Sequence, residues 1–143
     1  MNAAIFDLDQ TLVDYGSLEP LRRRRRWAEV YRNVGQCRVF DGIKELLTEL
    51  RAGGVKIAVV TSGPRTYAQK VLAHGELEVD VLVAYHDTRE HKPASAPINA
   101  ALSRLDANPE QSVSVGDDAI DILASRRASP PWRPCGLQRI RQA

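Results

Sequence analysis

Short apolar runs alternate with amphipathic stretches along most of this chain. Four runs, at residues 3–6, 55–60, 79–85 and 112–115, predict buried strands. Between them, apolar residues recur at helical spacing, and Pro or Gly marks the ends of the predicted helices. Alternating strands and helices are typical of a parallel sheet covered on both faces. The sequence therefore predicts an α/β fold with a three-layer, doubly wound, mostly parallel sheet.

The predicted helices follow the strands closely. Asp41 is expected to cap the first one, and Gly53 and Gly54 to end it. Pro97 is expected to start a later helix. A proline-interrupted edge strand is predicted at 131–137, followed by a frayed end at 139–143. The apolar helix positions are Ile43, Leu46, Leu47 and Leu50; Tyr67, Val71 and Leu72; Ile98, Ala101, Leu102 and Leu105; and Ile122 and Leu123.

Residues 12–40 interrupt this alternation, and we interpret them as a short helical insertion in a single domain spanning 1–143. Trp27, Val30, Tyr31 and Val34 stand at positions i, i+3, i+4 and i+7. They predict one amphipathic helix over about 20–34, close to the mouth of any site that follows the first strand. The stripe must be buried on the same chain or on a second copy, so a monomer and a homodimer both remain open. Repulsion between arginines across a two-fold contact favours the same chain.

The same segment carries five consecutive arginines, from Arg22 to Arg26. One interpretation is a solvated helix face, partly paired with Glu19 and Glu29. The other is a contact for a polyanion or a nucleic acid. The net charge of +2, from 20 basic and 18 acidic residues, does not decide between them.

No apolar run approaches the ~20 residues of a membrane span. Asp7 and Asp9 interrupt the apolar N-terminal stretch, which argues against a signal peptide, so we expect a cytoplasmic location without membrane contact. Cys37 and Cys135 form no CxxC pair and have no His at ligand spacing. They therefore predict neither a zinc site nor a disulfide.

Polar residues follow three of the predicted strands. Asp7 and Asp9 come directly after the first strand, two residues apart, and in extended backbone they point the same way. Two carboxylates at such a short separation repel each other, and a hard dication relieves the repulsion. The pair therefore predicts a Mg²⁺ site. Thr61 ends the second strand, where its hydroxyl and the Ser62 N–H could hold a phosphoryl oxygen beside a helix N-terminus.

Further charged residues complete this pattern. Lys92 offers a point charge for a phosphate. Asp117, Asp118 and Asp121 follow the fourth strand, and one of them would complete the metal site. The others, Asp118 in particular, are also expected as acids at a helix start. In open parallel sheets, ligands bind beyond the carboxyl ends of the strands, so these residues predict a phosphate-binding site at that edge.

The ordered motifs DLDQT, VVTSG, HKP and VGDDAID resemble those of the haloacid dehalogenase superfamily, which consists mostly of phosphatases. The resemblance covers residues 1 to about 137. It implies that Asp7 is a nucleophile that also binds Mg²⁺, and that Asp9 is the general acid and base, with its carbonyl as a second metal ligand. It implies phosphate binding by Thr61 and Lys92, metal binding by Asp117, and a supporting role for Asp121.

Two departures from the resembled family affect the expected function. Gln10 stands where glycine is usual, so we expect an altered turn or lower activity. The segments FDGIKELLTELRAGG and KPASAPINAAL also resemble the subgroup that includes phosphoglycolate phosphatase, whose full members carry a substrate-choosing helical cap domain. The insertion here has about 28 residues, too few for such a cap.

The sequence therefore favours a Mg²⁺-dependent phosphatase acting on a phosphorylated substrate through an aspartyl-phosphate. The alternatives are a catalytically weak binding or regulatory domain and a nucleic acid end phosphatase that uses the arginine-rich helix.

Overall fold

A computed structural model describes residues 1–117 and 119–128. Short 3₁₀ turns connect several of the elements, among them Val34–Gln36 and Tyr85–Asp87. The strands are β1 (Ala3–Phe6), β2 (Val13–Asp14), β3 (Arg38–Val39), β4 (Lys56–Val60), β5 (Val81–Val83) and β6 (Ser112–Val115). The helices are α1 (Glu19–Arg23), α2 (Trp27–Arg32), α3 (Ile43–Ala52), α4 (Arg65–His74), α5 (Ala96–Leu105) and α6 (Ala119–Arg127).

Four strands form a parallel sheet in the order β5-β4-β1-β6. Strand β1 lies inside the sheet, where Ile5 aligns with Ala58 of β4 and with Ser114 of β6. Every residue of β1 is buried, as expected for a strand with neighbours on both edges and helices on both faces. The carboxyl ends of β1, β4 and β6 therefore reach the same edge of the sheet, and the polar residues that follow them meet there.

The sheet separates two apolar clusters, which confirms the three-layer prediction. Alternate residues of β1 serve the two faces: Ala4 and Phe6 belong to one cluster, and Ala3 and Ile5 to the other. The first face is covered by α3, α4 and the insertion, through Leu47, Tyr67, Ala68, Val71, Leu72 and Val30. The second face is covered by α5 and α6, through Ile98, Ala101, Leu102, Leu105 and Ala124.

Some local predictions need correction. Asp41 does not cap α3: the residue before this helix is Gly42, at a left-handed φ of 85°, and no side chain caps it. Strand β5 is shorter than the predicted 79–85, since Asp80 instead accepts a hydrogen bond from the Ile57 N–H at 2.8 Å. The predicted strand at 131–137 and the frayed end at 139–143 lie outside the described residues.

The insertion contains two short helices, so the prediction of one helix over 20–34 is wrong. The chain turns between α1 and α2, where Arg25 takes a left-handed φ of 55°. The Arg26 N–H donates to the Leu21 carbonyl across this turn at 2.9 Å. A continuous helix would bring Arg22 beside Arg26, four positions on, a spacing at which like charges repel. The turn separates them, at the modest cost of one non-glycine residue in the left-handed region.

The apolar stripe of the insertion packs on its own chain, as predicted. Val30 is fully buried in the cluster that contains Phe6 and Tyr67, and Trp27, Tyr31 and Val34 pack against the same cluster. The antiparallel pair β2–β3 closes the base of the insertion, with Val13 opposite Val39. The insertion is thus part of one face of the core.

Within the described ranges, no helix is long and apolar enough to cross a membrane. Cys37 is buried and free, and Cys135 lies outside the described residues.

We expect Val30→Asp to lower the free energy of unfolding by at least about 3 kcal/mol, because it places a charge in an apolar cluster with no partner. Leu123→Asp is the control, since Leu123 is 40% exposed on α6. Urea unfolding together with size-exclusion chromatography would measure both variants. A folded Val30→Asp monomer as stable as the control would show that the insertion does not stabilise this domain.

Candidate active site

The seven residues predicted from the sequence as site residues line one cavity of about 420 Å³ at the carboxyl edge of the sheet. Three of them follow strands: Asp7 follows β1, Thr61 follows β4 and Asp117 follows β6 beyond Gly116. The others come from the adjoining loops and from α6. The seven are Asp7, Asp9, Thr61, Ser62, Lys92, Asp117 and Asp121.

The Lys92 ammonium is buried at the centre of the cavity floor, with its side chain only 4% exposed. It donates to Asp7 Oδ1 at 3.1 Å, to Asp121 Oδ1 at 2.5 Å and to the Val60 carbonyl at 2.8 Å. An ammonium has three N–H donors, so these three acceptors use all of them. Burial lowers the pKa of Lys92, but Asp7 and Asp121 outweigh it and the pKa is raised overall. Lys92 is therefore charged at neutral pH.

Asp7 lies between this cation and a second carboxylate. Burial raises the pKa of the Asp7 carboxyl, Lys92 opposes part of the rise, and Asp117 adds to it. The Thr11 hydroxyl lies between the two acids, 3.5 Å from Asp7 Oδ2 and 3.3 Å from Asp117 Oδ1. One hydroxyl proton can serve only one of them at a time. Sequence reasoning missed Thr11, although it belongs to the motif DLDQT.

The acids of this floor fit a hard divalent cation. Carboxylate oxygens of Asp7, Asp117 and Asp121 all lie within 4.8 Å of one another. Oxygen donors in such a cluster suit Mg²⁺, and the raised pKa of Asp7 shows that Lys92 alone does not offset the burial of negative charge. These three residues could hold a metal ion. The Asp9 carboxylate is not part of this cluster.

Asp9 faces the same cavity but has its own partners. The Tyr67 hydroxyl donates to Asp9 Oδ1 at 2.7 Å, and Arg22 Nη2 donates to Oδ2 at 2.7 Å. Burial raises the pKa of Asp9, while Arg22 and Tyr67 offset part of the rise. Burial and Asp9 also raise the pKa of Tyr67, so the phenol keeps its proton. The carboxylate is thus fixed from both sides.

Arg22 is a residue of this site that sequence reasoning missed. Its guanidinium lies over the Tyr15 ring at 4.3 Å and 5.0 Å from the Tyr67 ring centre, and its side chain is 18% exposed. The interpretation of the arginine run as a solvated face is therefore wrong for this position. Two neighbouring ion pairs agree with the interpretation as a solvated face: Arg23 with Glu19 at 2.6 Å, and Arg26 with Glu29 at 3.1 Å. Five identical residues in a row gave no sign of which one would face inward.

The loop after β4 forms another wall of the cavity. Thr61 is buried, and its Oγ1 accepts a hydrogen bond from the Gly63 N–H at 3.1 Å. Ser62 is exposed in the cavity, and α4 begins three residues later. The hydroxyls and the positive end of the helix dipole give this wall the character of an anion site.

Two backbone positions shape the floor. A Cβ on Gly116 would lie 2.5 Å from the Asp121 side chain, so only glycine at position 116 leaves room for Asp121 where it contacts Lys92. Gln10 takes a left-handed φ of 61°, the conformation that glycine favours. The turn after Asp9 is therefore made with glutamine at a backbone cost of about 1 kcal/mol.

Comparison with known proteins identifies the class that this fold and site define. The family described as haloacid dehalogenase-like hydrolase matches residues 16–130, and the chain belongs to that family. The matched range begins after Asp7 and Asp9, so membership rests on the later motifs.

Two curated relatives and one solved structure illustrate the similarity. A phosphoglycolate phosphatase of Cupriavidus necator is 37% identical over 109 residues, covering 75% of this chain and 46% of that protein. The pyrophosphatase PpaX of Halalkalibacterium halodurans is 35% identical over 91 residues, covering 62% of this chain and 42% of that protein. A HAD-superfamily hydrolase of Geobacter sulfurreducens has a similar fold, with a TM-score of 0.75 at 20% identity, covering 92% of this chain and 88% of that one. The chain spans about half the length of the curated relatives it matches first.

We expect Asp7→Asn to stabilise the metal-free protein, raising Tm by at least about 3 °C near pH 7.5. The pKa of Asp7 is raised in the fold above its ordinary value of 3.8, so its ionised form opposes folding at neutral pH. This penalty declines as the pH falls from the folded-state pKa towards 3.8, so the advantage of Asn should shrink near pH 4. Thermal melts in EDTA at both pH values would measure it. The control is Asp14→Asn, because Asp14 is half-buried in β2 and asparagine can keep the hydrogen bond that its Oδ1 accepts from the Gly16 N–H. A variant less stable than wild type at neutral pH would contradict this view of Asp7.

Proposed function

We propose that the protein is a Mg²⁺-dependent phosphatase that hydrolyses a phosphate monoester through an aspartyl-phosphate on Asp7. The observation that carries the proposal is the buried Lys92 ammonium, 3.1 Å from Asp7 and 2.5 Å from Asp121, two of the three carboxylates that cluster with Asp117. Phosphatases and pyrophosphatases among the relatives support it. Phosphoryl transfer needs positioning and charge neutralisation more than covalent chemistry, and this arrangement supplies both.

The substrate phosphoryl group would lie against the wall formed by the β4 loop. The Thr61 hydroxyl and the Ser62 N–H would donate to its oxygens, and the charge of Lys92 would attract it. Lys92 is held by three acceptors, so it cannot swing out with the substrate. This geometry presents the phosphorus to Asp7.

In the first step an Asp7 carboxylate oxygen attacks phosphorus as the bond between phosphorus and the ester oxygen breaks. The leaving oxygen takes a proton from Asp9, whose raised pKa favours the protonated form that this transfer requires. In the second step a water attacks the phosphorus of the aspartyl-phosphate. Asp9 accepts its proton, and the bond from Asp7 to phosphorus breaks to release phosphate.

Asp7 and Asp117 would hold Mg²⁺ through their carboxylates, with the Asp9 carbonyl as a third protein ligand. When bound, the ion would offset the negative charge that the phosphate brings to this acidic floor. Asp121, 2.5 Å from Lys92, would fix the lysine and complete the charge balance.

The alternative of a binding domain that turns over poorly has less support. Asp9 and Lys92 face one cavity, and each is held by two or more polar partners, a precision that a domain used only for binding would not need. The alternative of a nucleic acid contact along the whole arginine run is weakened because Arg22 is paired with Asp9. Its neighbours Arg24 and Arg25 are exposed.

Asp7→Asn should abolish hydrolysis of 4-nitrophenyl phosphate, because a neutral amide is a poor nucleophile. Initial rates with Mg²⁺ would measure the loss, and Asp14→Asn is the matched control. Turnover by Asp7→Asn close to the wild-type rate would rule out the covalent mechanism.

EDTA should remove the activity, and Mg²⁺ should restore it better than Ca²⁺, whose larger and looser coordination suits in-line transfer poorly. Asp117→Ala should raise the Mg²⁺ concentration needed for half activity more than Asp121→Ala does, since Asp121 also contacts Lys92. Titration of metal-free enzyme would measure both. Full activity in EDTA would exclude a metal role.

Asp9→Asn should lower kcat by about 100-fold or more for an alkyl phosphate, whose leaving oxygen must be protonated. For 4-nitrophenyl phosphate the leaving group departs unprotonated, so the loss in aspartyl-phosphate formation should be less than about 10-fold. Single-turnover formation of aspartyl-phosphate with both substrates would measure the contrast. Equal losses on the two substrates would contradict the role of Asp9 as general acid.

A further inference from the structure

A second cavity, of about 270 Å³, adjoins the proposed catalytic one. The two share Trp27 and Ser62, so a molecule bound at Asp7 could extend from one into the other. The second cavity is lined by Arg25, Trp27, Ser62, Pro64, Tyr85 and His86. None of these six described residues carries a carboxylate.

The two aromatic residues of this cavity are already fixed. Trp27 packs on Tyr67 and Tyr31, with ring centres 5.8 and 6.3 Å away. Tyr85 stacks on His91 at 3.8 Å, and its backbone N–H donates to the Gly63 carbonyl at 3.1 Å. Tyr85 nevertheless remains 41% exposed. A planar ligand could stack on these rings at little ordering cost, because the rings are held before it arrives.

The position of Asp9 gives the direction in which a substrate would extend. A general acid must face the leaving oxygen, so the leaving group lies on the Asp9 side of the phosphorus. Tyr67 links Asp9 to Trp27: its hydroxyl bonds Asp9 at 2.7 Å, and its ring packs against Trp27. The leaving group would therefore pass Trp27 and enter the second cavity.

The charge of this cavity restricts the ligand further. Arg25 is exposed and has no ion pair among the residues that the structure describes, and no acid lines the cavity to repel an anion. Aromatic faces beside an arginine suit a planar base and a phosphodiester or second phosphate, and suit a small aliphatic acid poorly.

We propose that this cavity, lined by Trp27 and Tyr85, is a base-binding subsite and that the substrate is a nucleoside phosphate, either free or at the end of an oligonucleotide. The inference rests on the proposed function, since it assumes that the phosphate lies at Asp7. The base stacks on the aromatic residues, while the sugar spans the shared boundary at Ser62.

The test compares AMP with ribose 5-phosphate, which share the ester and differ in the base. Wild type should have a kcat/KM at least about 10-fold higher for AMP, the scale expected of one stacked base. Tyr85→Ala should remove most of this ratio and Tyr85→Phe should keep it, because stacking needs the ring and not the hydroxyl. Equal kcat/KM for the two substrates would overturn the subsite and leave the phosphatase proposal standing.

A binding measurement tests this inference independently of the proposed function. Trp132→Phe leaves Trp27 as the single tryptophan of the chain. Adenosine, which lacks a phosphate, should change the Trp27 fluorescence of this variant, and ribose should not. If 4-nitrophenyl phosphate is hydrolysed but AMP is not, the subsite is overturned and the phosphatase proposal stands. If none of the three esters is hydrolysed, the phosphatase proposal fails, and adenosine binding still decides the subsite: no fluorescence response overturns it.

A final experiment distinguishes a free nucleotide from an oligonucleotide end as the source of the nucleoside phosphate. A 5′-phosphorylated oligonucleotide and AMP are compared in wild type and in Arg25→Ala, with Arg104→Ala as the control, since Arg104 is an exposed residue of α5. A loss confined to the oligonucleotide supports the subsite with a nucleic acid end as substrate, and preference for AMP supports it with a free nucleotide. If neither the oligonucleotide nor AMP is hydrolysed faster than ribose 5-phosphate, the proposal is overturned.

Discussion

The buried contact of Lys92 with Asp7 and Asp121 is the constraint on which the site depends. An ammonium in this position needs acceptors in every donor direction, and they come from β1, β4 and α6. Three separate elements are thereby fixed around one atom. Moving any of them would leave one N–H donor of this buried ammonium without an acceptor, which costs about 1–3 kcal/mol. The same contact orients Asp7 toward the cavity, so the interaction that holds the strand ends together also prepares the carboxylate proposed to react.

The insertion affects the site through Asp9. It is too short for a separate cap, yet it delivers Arg22 to Asp9 and Trp27 to the rim of the cavity. Burial of Val30 anchors the segment, and the left-handed turn at Arg25 turns the chain between the helix that carries Arg22 and the helix that carries Trp27. We infer that side chains anchored in the core, and not a separate cap domain, select the substrate.

The sequence predicted what depends on local pattern and strand order. The apolar runs that predict buried strands also predicted Asp7, Thr61 and Asp117 at one edge of the sheet, because parallel strands end at the same edge. Features set by tertiary packing were not predicted. Arg22 is one of five identical neighbours, and its inward position depends on where the chain turns after α1. The hydrogen bond from Tyr67 to Asp9 joins residues 58 positions apart, and the apolar pattern of α4 assigned Tyr67 to the core alone.

The central claim is that Asp7 becomes phosphorylated during turnover. The most direct measurement is acid quenching of the enzyme with a slowly hydrolysed phosphate ester and Mg²⁺, followed by borohydride reduction and peptide mass spectrometry. An aspartyl-phosphate is reduced to homoserine at the modified position. We predict homoserine at residue 7 and an unmodified residue 9. Turnover without any modification at Asp7, or modification at another carboxylate, would contradict the account.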